Sequence, residues 1–377
     1  MTTTETIPSR IKFLYDLNQN SNMNLVMFDE QISFKKMEKF RNVIMSLGDG
    51  KGSTLEYKKS GSSGHTFKGI VKNDDGSTMN YGVKVVAYSK RSYGDPRQKT
   101  RPENAEIHML KLLSQFVFNN RTPHIVLPII TFDTNLKPLI KLHKGRKIVN
   151  DRYKKFVERY HNNEYYPIAS VLISEWASNG DFLDYLKHNY KNITLKQWKV
   201  FFFQIVSVLA VIHLEYPSFR HNDLKANNIL IHSIPKTDGQ FYIHNIGQKK
   251  YAIPNIGFIL KIWDFDFACI PNIVDNEKVN AQWTQKINVN PEQNRYYDIH
   301  YFFNTLIKKG FLPNIIKSKT ISKEVKNFIF RIVPKNLQTG DHITKGGRIM
   351  INQEFTTPQQ ILETDPFFKD FHYKPPE

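Results

Sequence analysis

Residues 221–230, His221-Asn222-Asp223-Leu224-Lys225-Ala226-Asn227-Asn228-Ile229-Leu230, crowd an imidazole, a carboxylate, an ammonium and several amides between a long apolar periodic stretch and a short apolar run. A second short apolar run ends at Trp263-Asp264-Phe265-Asp266, 41 positions beyond Asp223. Carboxylate and amide oxygens are the hard ligands that suit Mg²⁺, and a neighbouring aspartate can accept or orient a hydroxyl proton. Two such loops can gather these groups on one metal–phosphate centre. An isolated H-x-D triplet also fits a surface loop whose Asp caps a turn. The full string, set between a helix and a strand, points instead to chemistry.

Those loops need elements to hold them. In Leu195–Leu214, Trp198, Phe201, Phe202, Ile205, Leu209 and Ile212 form a wide stripe at helical spacing, and β-like runs surround 229–232 and 258–263. A further helix is expected over Tyr297–Lys308. Upstream, Leu55–Lys59, Thr66–Lys72 and Met79–Tyr88 read as strands, the last two joined by an Asp75-Gly76 hairpin turn. A helix over Asn104–Phe118 carries Ile107, Leu110 and Leu113 on one face, and strands follow at His124–Phe132 and Ile168–Glu175. Residues 1–50 form an extension in which Phe34, Met37, Phe40, Ile44 and Leu47 predict a packed helix over Ile32–Leu47, closed by Gly48-Asp49-Gly50. A β-rich first part and a helical second part, joined near Ala177, describe a two-lobed α+β protein.

The two loops resemble the catalytic loop, H-R-D-L-K-x-x-N, and the metal loop, D-F-G, of the protein kinase superfamily. The resemblance covers about residues 54–372 and implies a bilobal kinase-like fold. The extension would be 1–50, a β-rich N-lobe 51–177 and a helical C-lobe 178–377. It implies that Asp223 is the catalytic base, that Lys225 steadies the transferred phosphate, and that Asn228 and Asp264 hold Mg²⁺ or Mn²⁺. Ser60-Gly61-Ser62-Ser63-Gly64-His65-Thr66-Phe67-Lys68 resembles the latter part of the glycine-rich turn, with Lys59 where the first glycine is expected. Gly61 and Gly64 would let backbone N–H groups approach ATP phosphates. Tyr81-Gly82-Val83-Lys84 resembles V-A-I-K, so Lys84 would meet the α- and β-phosphates and pair with Glu106, with Glu103 as the fallback. Leu172–Leu183 resembles the hinge: backbone groups of Glu175 and Ala177 would meet adenine and Asp181 would face the ribose. Thr66, Gly82 and Leu230 would line the adenine slot, and a small Ser174 at the gatekeeper position predicts a roomy back pocket. Asp298 would brace the catalytic loop from beneath.

Departures from the usual pattern narrow the likeness. Asp266 replaces the glycine of D-F-G and is expected to face solvent. Asn222 replaces the arginine that in the family binds an activation-loop phosphate, which predicts activity without that modification or control by a partner. Only 34 positions separate Asp264 from Asp298, with Asn290-Pro291-Glu292 as a worn A-P-E, and residues 232–258 expand the hairpin between the two loops. This combination is similar to the divergent Ser/Thr kinases of large cytoplasmic DNA viruses, including poxviruses.

Composition bounds the rest. The 377 residues carry 53 Lys+Arg against 35 Asp+Glu, a net charge of +18, which favours acidic partners. A hydrophobic content of 40% excludes a mostly disordered chain. The single Cys269 excludes an intramolecular disulfide framework and a Cys-based zinc cage, and fits a reducing compartment. No run of about 18 apolar residues and no apolar leader is seen, so a cytoplasmic protein is expected, in host cytoplasm and virion on the viral likeness. An insertion at about 137–166 holds nine basic residues between Lys137 and Arg159, including Lys144, Arg146 and Lys147, against Asp151 and Glu158, with Tyr153 and Phe156 interleaved. It reads as a solvated charged loop by default, or as a dock for nucleic acid, an acidic substrate or a virion component. The expected activity is ATP-dependent transfer of the γ-phosphoryl group to Ser/Thr hydroxyls of an acidic or virion-associated protein. A pseudokinase scaffold, or a basic nucleic-acid-associated virion protein of the same fold, stands as the alternative.

Overall fold

The computed structural model describes residues 6–30, 35–61, 64–141, 150–237, 239–308 and 315–373. Phe34, Ser62, Ser63, Lys144, Arg146 and Lys147 lie outside the described residues. Two compact units divide the chain: residues 8–115 with 126–176, and residues 1–7 with 116–125 and 177–377.

The first unit is built on an antiparallel sheet in the order β1-β2-β3-β5-β4. Its strands are β1 (Ser53–Ser60), β2 (His65–Lys72), β3 (Thr78–Ser89), β4 (Pro128–Asn135) and β5 (Tyr165–Glu175). Alternation decides which face is covered: His65, Phe67, Gly69 and Val71 of β2 are buried while their neighbours are not. Gly76, at φ +81°, turns the β2–β3 hairpin, which Asn73 N closes by donating to Ser77 O at 2.9 Å. Two helices precede the sheet, α1 (Thr6–Asn18) and α2 (Phe40–Ser46), and α3 (Pro102–Phe118) follows β3 with Ile107, Leu110 and Leu113 buried.

Three sequence expectations need correction in this unit. Among the described residues of the helix expected over 32–47, helix forms only at α2. Upstream of it Met37 bridges Asp133 on β4, and Glu38 N donates to Asp133 O at 2.8 Å, so hydrogen bonding to the strand displaces helix. The strand expected from His124 starts at Pro128. The insertion is not simply a charged loop. It forms α4 (Leu136–Lys141) and α5 (Asp151–His161), and Asn150 caps α5 by accepting from Arg152 N at 2.9 Å and Tyr153 N at 3.2 Å. Tyr153 and Phe156 are buried against the His65 ring, with centroids 4.8 and 4.3 Å away, so neither presents a face for stacking on a base.

The second unit is mainly helical: α6 (Phe182–Asn189), α7 (Leu195–Glu215), α8 (Gln282–Gln285), α9 (Tyr297–Ile307), α10 (Lys323–Ile332) and α11 (Pro358–Thr364). Two short ladders accompany them, β6 (Ile229–Ser233) with β9 (Phe258–Ile262), and β7 (Phe241–Ile246) with β8 (Lys249–Pro254), the latter pair filling the expanded hairpin. Thr194 and Gln197 cap α7 reciprocally. Among the described residues α7 alone is long and apolar enough to cross a membrane, contrary to the expectation from the sequence, and 89% of its most apolar window is buried inside the protein. Phe202 at its centre packs on Phe303 and Phe328, at 4.9 and 5.7 Å between ring centres, as a core helix does.

Candidate active site

In the sheet unit, the clearest feature is an ion pair. Lys84, on β3, donates to both carboxylate oxygens of Glu106, on α3, at 2.7 and 2.8 Å, and both side chains are buried. Glu103, the fallback partner, instead meets Arg101 at 3.2 Å. A buried pair with both oxygens engaged fixes the α3 register on the sheet, because breaking it strands a charge at about 3–5 kcal/mol. Thr66 pairs with Lys84 across the β2–β3 ladder, and Gly82 pairs with Ser174 across β3–β5. A Cβ on Gly82 would come within 3.1 Å of Ser174 Oγ. The turn before β2 is closed by Gly61 N donating to Gly64 O at 2.8 Å. A Cβ on Gly64 would lie 2.6 Å from Val85 O, so that position requires glycine. Arg152 of α5 donates to Ser60 O at 3.4 Å beside this turn.

Glu175 ends β5 with its carboxylate buried. Arg10 of α1 reaches it through two bonds, Nε to Oε2 at 2.9 Å and Nη2 to Oε1 at 2.5 Å, and Leu127 N adds a third at 2.8 Å. Arg10 had no signal in the sequence: its partner lies 165 positions away.

In the helical unit, α7 delivers the chain to the catalytic-type loop and β6 carries it away. Asp298, fully buried at the start of α9, accepts from His221 N at 2.7 Å and from Asn222 N at 2.9 Å. Burial pushes its pKa up, opposed by His221, the two backbone donors and Arg220. With the loop anchored so, Asn222 takes a left-handed backbone, φ +62°, which Asn tolerates better than most side chains. The Asp223 carboxylate then collects donors: Lys225 Nζ at 2.9 Å from Oδ2 and 3.2 Å from Oδ1, and Asn228 Nδ2 at 2.9 Å from Oδ2. Asn228 Nδ2 also donates to Asp223 O at 2.9 Å, which turns its Oδ1 away from Asp223. Trp263 N donates to Asn228 O at 3.0 Å and His221 Nε2 lies 3.0 Å from Trp263 O, so the two loops are laced together just before Asp264. Asp264 itself is left-handed, φ +64°, and half-buried. The structure thus brings Asp223, Lys225, Asn228 and Asp264 onto two adjoining loops. Ala177 is buried, Leu230 bridges Asp181, and the Asp181 carboxylate caps α6 by accepting from Asp184 N at 3.0 Å.

Asp266 departs from the expectation of solvent exposure. It is buried and paired with Lys278, whose Nζ also lies 4.0 Å from the Phe267 ring centre. A carboxylate taken out of water needs such a counter-charge. Asn290-Pro291-Glu292 does not act through its glutamate: Glu292 is exposed, and Arg220 binds Asn290 Oδ1 at 2.7 Å and Glu292 O at 3.1 Å. Arg220 adjoins His221, a signal that proximity to the motif could have raised; Arg348, whose guanidinium also reaches Asp223, gave none.

A family model described as poxvirus serine/threonine protein kinase matches residues 106–346. A candidate serine/threonine-protein kinase of Acanthamoeba polyphaga mimivirus is 46% identical over 356 residues, covering 92% of this chain and 74% of its own. A second one from the same virus is 25% identical over 344 residues, 79% of this chain and 84% of that one. Serine/threonine-protein kinase 2 of fowlpox virus is 26% identical over 221 residues, 58% of this chain and 43% of the relative. A family match over more than half of the chain, joined to a near-full-length viral relative, means that this protein belongs to the poxvirus serine/threonine protein kinase family and is an ATP-using serine/threonine protein kinase.

Proposed function

We propose that the reaction runs through Asp223, with Lys84 and Glu106 serving the nucleotide and Lys225 the transferred group. A Ser or Thr hydroxyl donates its hydrogen bond to the Asp223 carboxylate. Its oxygen forms the new bond to the γ-phosphorus, and the bond from that phosphorus to the β-phosphate oxygen breaks, leaving its electron pair on ADP. The hydroxyl proton passes to Asp223. Lys225, 2.9 Å from that carboxylate, is close enough to neutralise charge that builds on the phosphoryl oxygens. The observation that carries this reading is the single cluster in which Lys225 and Asn228 both hold Asp223.

The donor chemistry suits a divalent ion. Mg²⁺ takes few protein oxygens and completes its shell with phosphates and water. Asn228 Oδ1, freed by the commitment of its nitrogen to Asp223, and the Asp264 carboxylate would hold Mg²⁺ or Mn²⁺. When bound, the ion supplies charge neutralisation at the phosphate oxygens. Gly61, Gly64, Thr66, Gly82, Glu175, Ala177, Asp181 and Leu230 are the positions proposed to contact the nucleotide.

The same reading includes independence from activation-segment phosphorylation. Between Asp264 and Asp298 the only hydroxyl side chains are Thr284, Tyr296 and Tyr297, and all three are buried. The net charge of +18 and the viral relatives support an acidic or virion-associated protein as substrate, in the cytoplasm of an infected cell. Tyr153 and Phe156 are buried, so these two rings do not support stacking of the insertion on nucleic acid. The test is label transfer from γ-labelled ATP to a generic protein by wild type and Asp264→Ala, with mass-spectrometric mapping of the acceptors. Ser and Thr acceptors lost in the variant support the reading; tyrosine acceptors, or equal transfer by the variant, contradict it.

A further inference from the structure

One donor on the Asp223 carboxylate comes from far along the chain. Arg348 lies between α10 and α11, 125 positions from Asp223. Its guanidinium is buried, at 8% exposure for the residue. Nη2 donates to Asp223 Oδ1, while Nη1 donates to the carbonyl oxygen of Asn222 and, at 3.2 Å, to the hydroxyl oxygen of Tyr297. Its Cζ lies 4.2 Å from the centre of the Tyr301 ring. Burial works against the charge, but Tyr297, Tyr301 and Asp223 outweigh it and hold the group above its ordinary pKa.

We propose that Arg348 is a positioning residue for phosphoryl transfer, locking the Asp223 carboxylate and the left-handed turn at Asn222 with one rigid fork. The proposal rests on the reading of Asp223 as the base. The geometry favours a lock over a movable gate. Each arm of the guanidinium has an acceptor, and swinging it away would strand both a buried arginine and the Asn222 carbonyl. A carboxylate offers about four lone-pair sites. Arg348, Asn228 and Lys225 occupy sites on both oxygens and so restrict where an incoming hydroxyl can bind. Position 222 carries no arginine, and a guanidinium reaches the loop from elsewhere in the chain. Lysine cannot reproduce this, since a point ammonium cannot span the Asn222 carbonyl and the Asp223 carboxylate in one fixed plane.

The test compares Arg348→Gln, Arg348→Lys and Asp223→Asn with wild type in full-length protein, reading kcat, ATP KM, ADP affinity and melting temperature. For Arg348→Gln we expect kcat to fall on the order of 10²-fold with ADP affinity within about twofold of wild type, and Arg348→Lys to recover part of the loss. A kcat within about threefold of wild type, or above it, overturns the assignment, the latter by making Arg348 an inhibitory latch. A joint loss of kcat and ADP affinity with no recovery in Arg348→Lys also overturns it, as a structural role. If Arg348→Gln does not fold, Arg348→Lys decides: a fall of roughly tenfold at unchanged ADP affinity supports the lock, and wild-type kcat or joint loss overturns it. Wild-type kcat in Asp223→Asn would defeat the reading of Asp223 itself, whereas failure for Arg348 alone would leave the Asp223→Asn loss in place.

Discussion

Arg220 Nη1 donates to Asn290 Oδ1 at 2.7 Å, and its Nη2 donates to Asn288 O at 2.6 Å, while Cζ stands 3.7 Å from the centre of the Tyr297 ring. Backbone bonds run beside it in both directions between Arg220 and Cys269, at 3.0 and 3.1 Å. A fully buried guanidinium thus ties the end of the activation segment to the residue before His221 through side-chain and backbone oxygens.

Phosphatase treatment is therefore expected to leave kcat within about twofold of the untreated enzyme, whereas Arg220→Met lowers it by more than about tenfold. Steady-state rates before and after treatment check the first; limited proteolysis, cutting the variant faster between 270 and 290, checks the second. A large loss on phosphatase treatment would show that a phosphate elsewhere controls the enzyme.

The Arg10–Glu175 pair joins the N-terminal extension to the end of β5, with the side chains 9% and 6% exposed. Removing one partner leaves the other buried and uncompensated. Arg10→Met should cost about 3–5 kcal/mol in denaturant unfolding, and adding Glu175→Gln should restore part of it. Equal losses in the single and double variants would mean that the charge pairing is not the source of the effect.

His213, His244 and His300 are buried, and burial lowers each to about 4. They are neutral in the folded chain at pH 7, while in the unfolded chain they bind protons near their ordinary value of 6.5. Unfolding therefore takes up protons between about pH 6.5 and 4, and stability falls as pH drops through that window. Melting temperature against pH should decline from 6.5 downward, and His244→Gln should flatten the curve. A temperature that stays level to pH 4.5 would contradict the assignment of these rings.

What the sequence disclosed and what it hid divide along physical lines. Asp223, Lys225 and Asn228 sit within one loop and Asp264 on the next, so their gathering follows from local order along the chain. The choice of Glu106 over Glu103 came with the family resemblance, and the structure pairs Lys84 with Glu106 while Glu103 meets Arg101. Strands β2 and β3 were legible because alternation and the Asp75-Gly76 turn agree. By contrast Arg10, Lys278 and Arg348 act through partners set by tertiary packing, and no local pattern distinguishes them from other basic residues of a strongly cationic chain. The same charge hid α5: Tyr153 and Phe156, three positions apart, mark its buried face, but nine cations around them suggested a loop. The helix expected over 32–47 was shortened by hydrogen bonds to β4 that the apolar spacing does not encode.

The central claim is that Lys84 and Asp223 serve one transfer from ATP to a protein hydroxyl. The most direct measurement is single-turnover transfer of label from ATP to protein, with ADP binding followed in parallel, for wild type, Lys84→Met and Asp223→Asn. The account predicts transfer by wild type, loss on the order of 10²-fold or more in both variants, and ADP affinity retained in Asp223→Asn but weakened in Lys84→Met. Undiminished transfer by Asp223→Asn, or no transfer by wild type with Mg²⁺ or Mn²⁺ supplied, would contradict it.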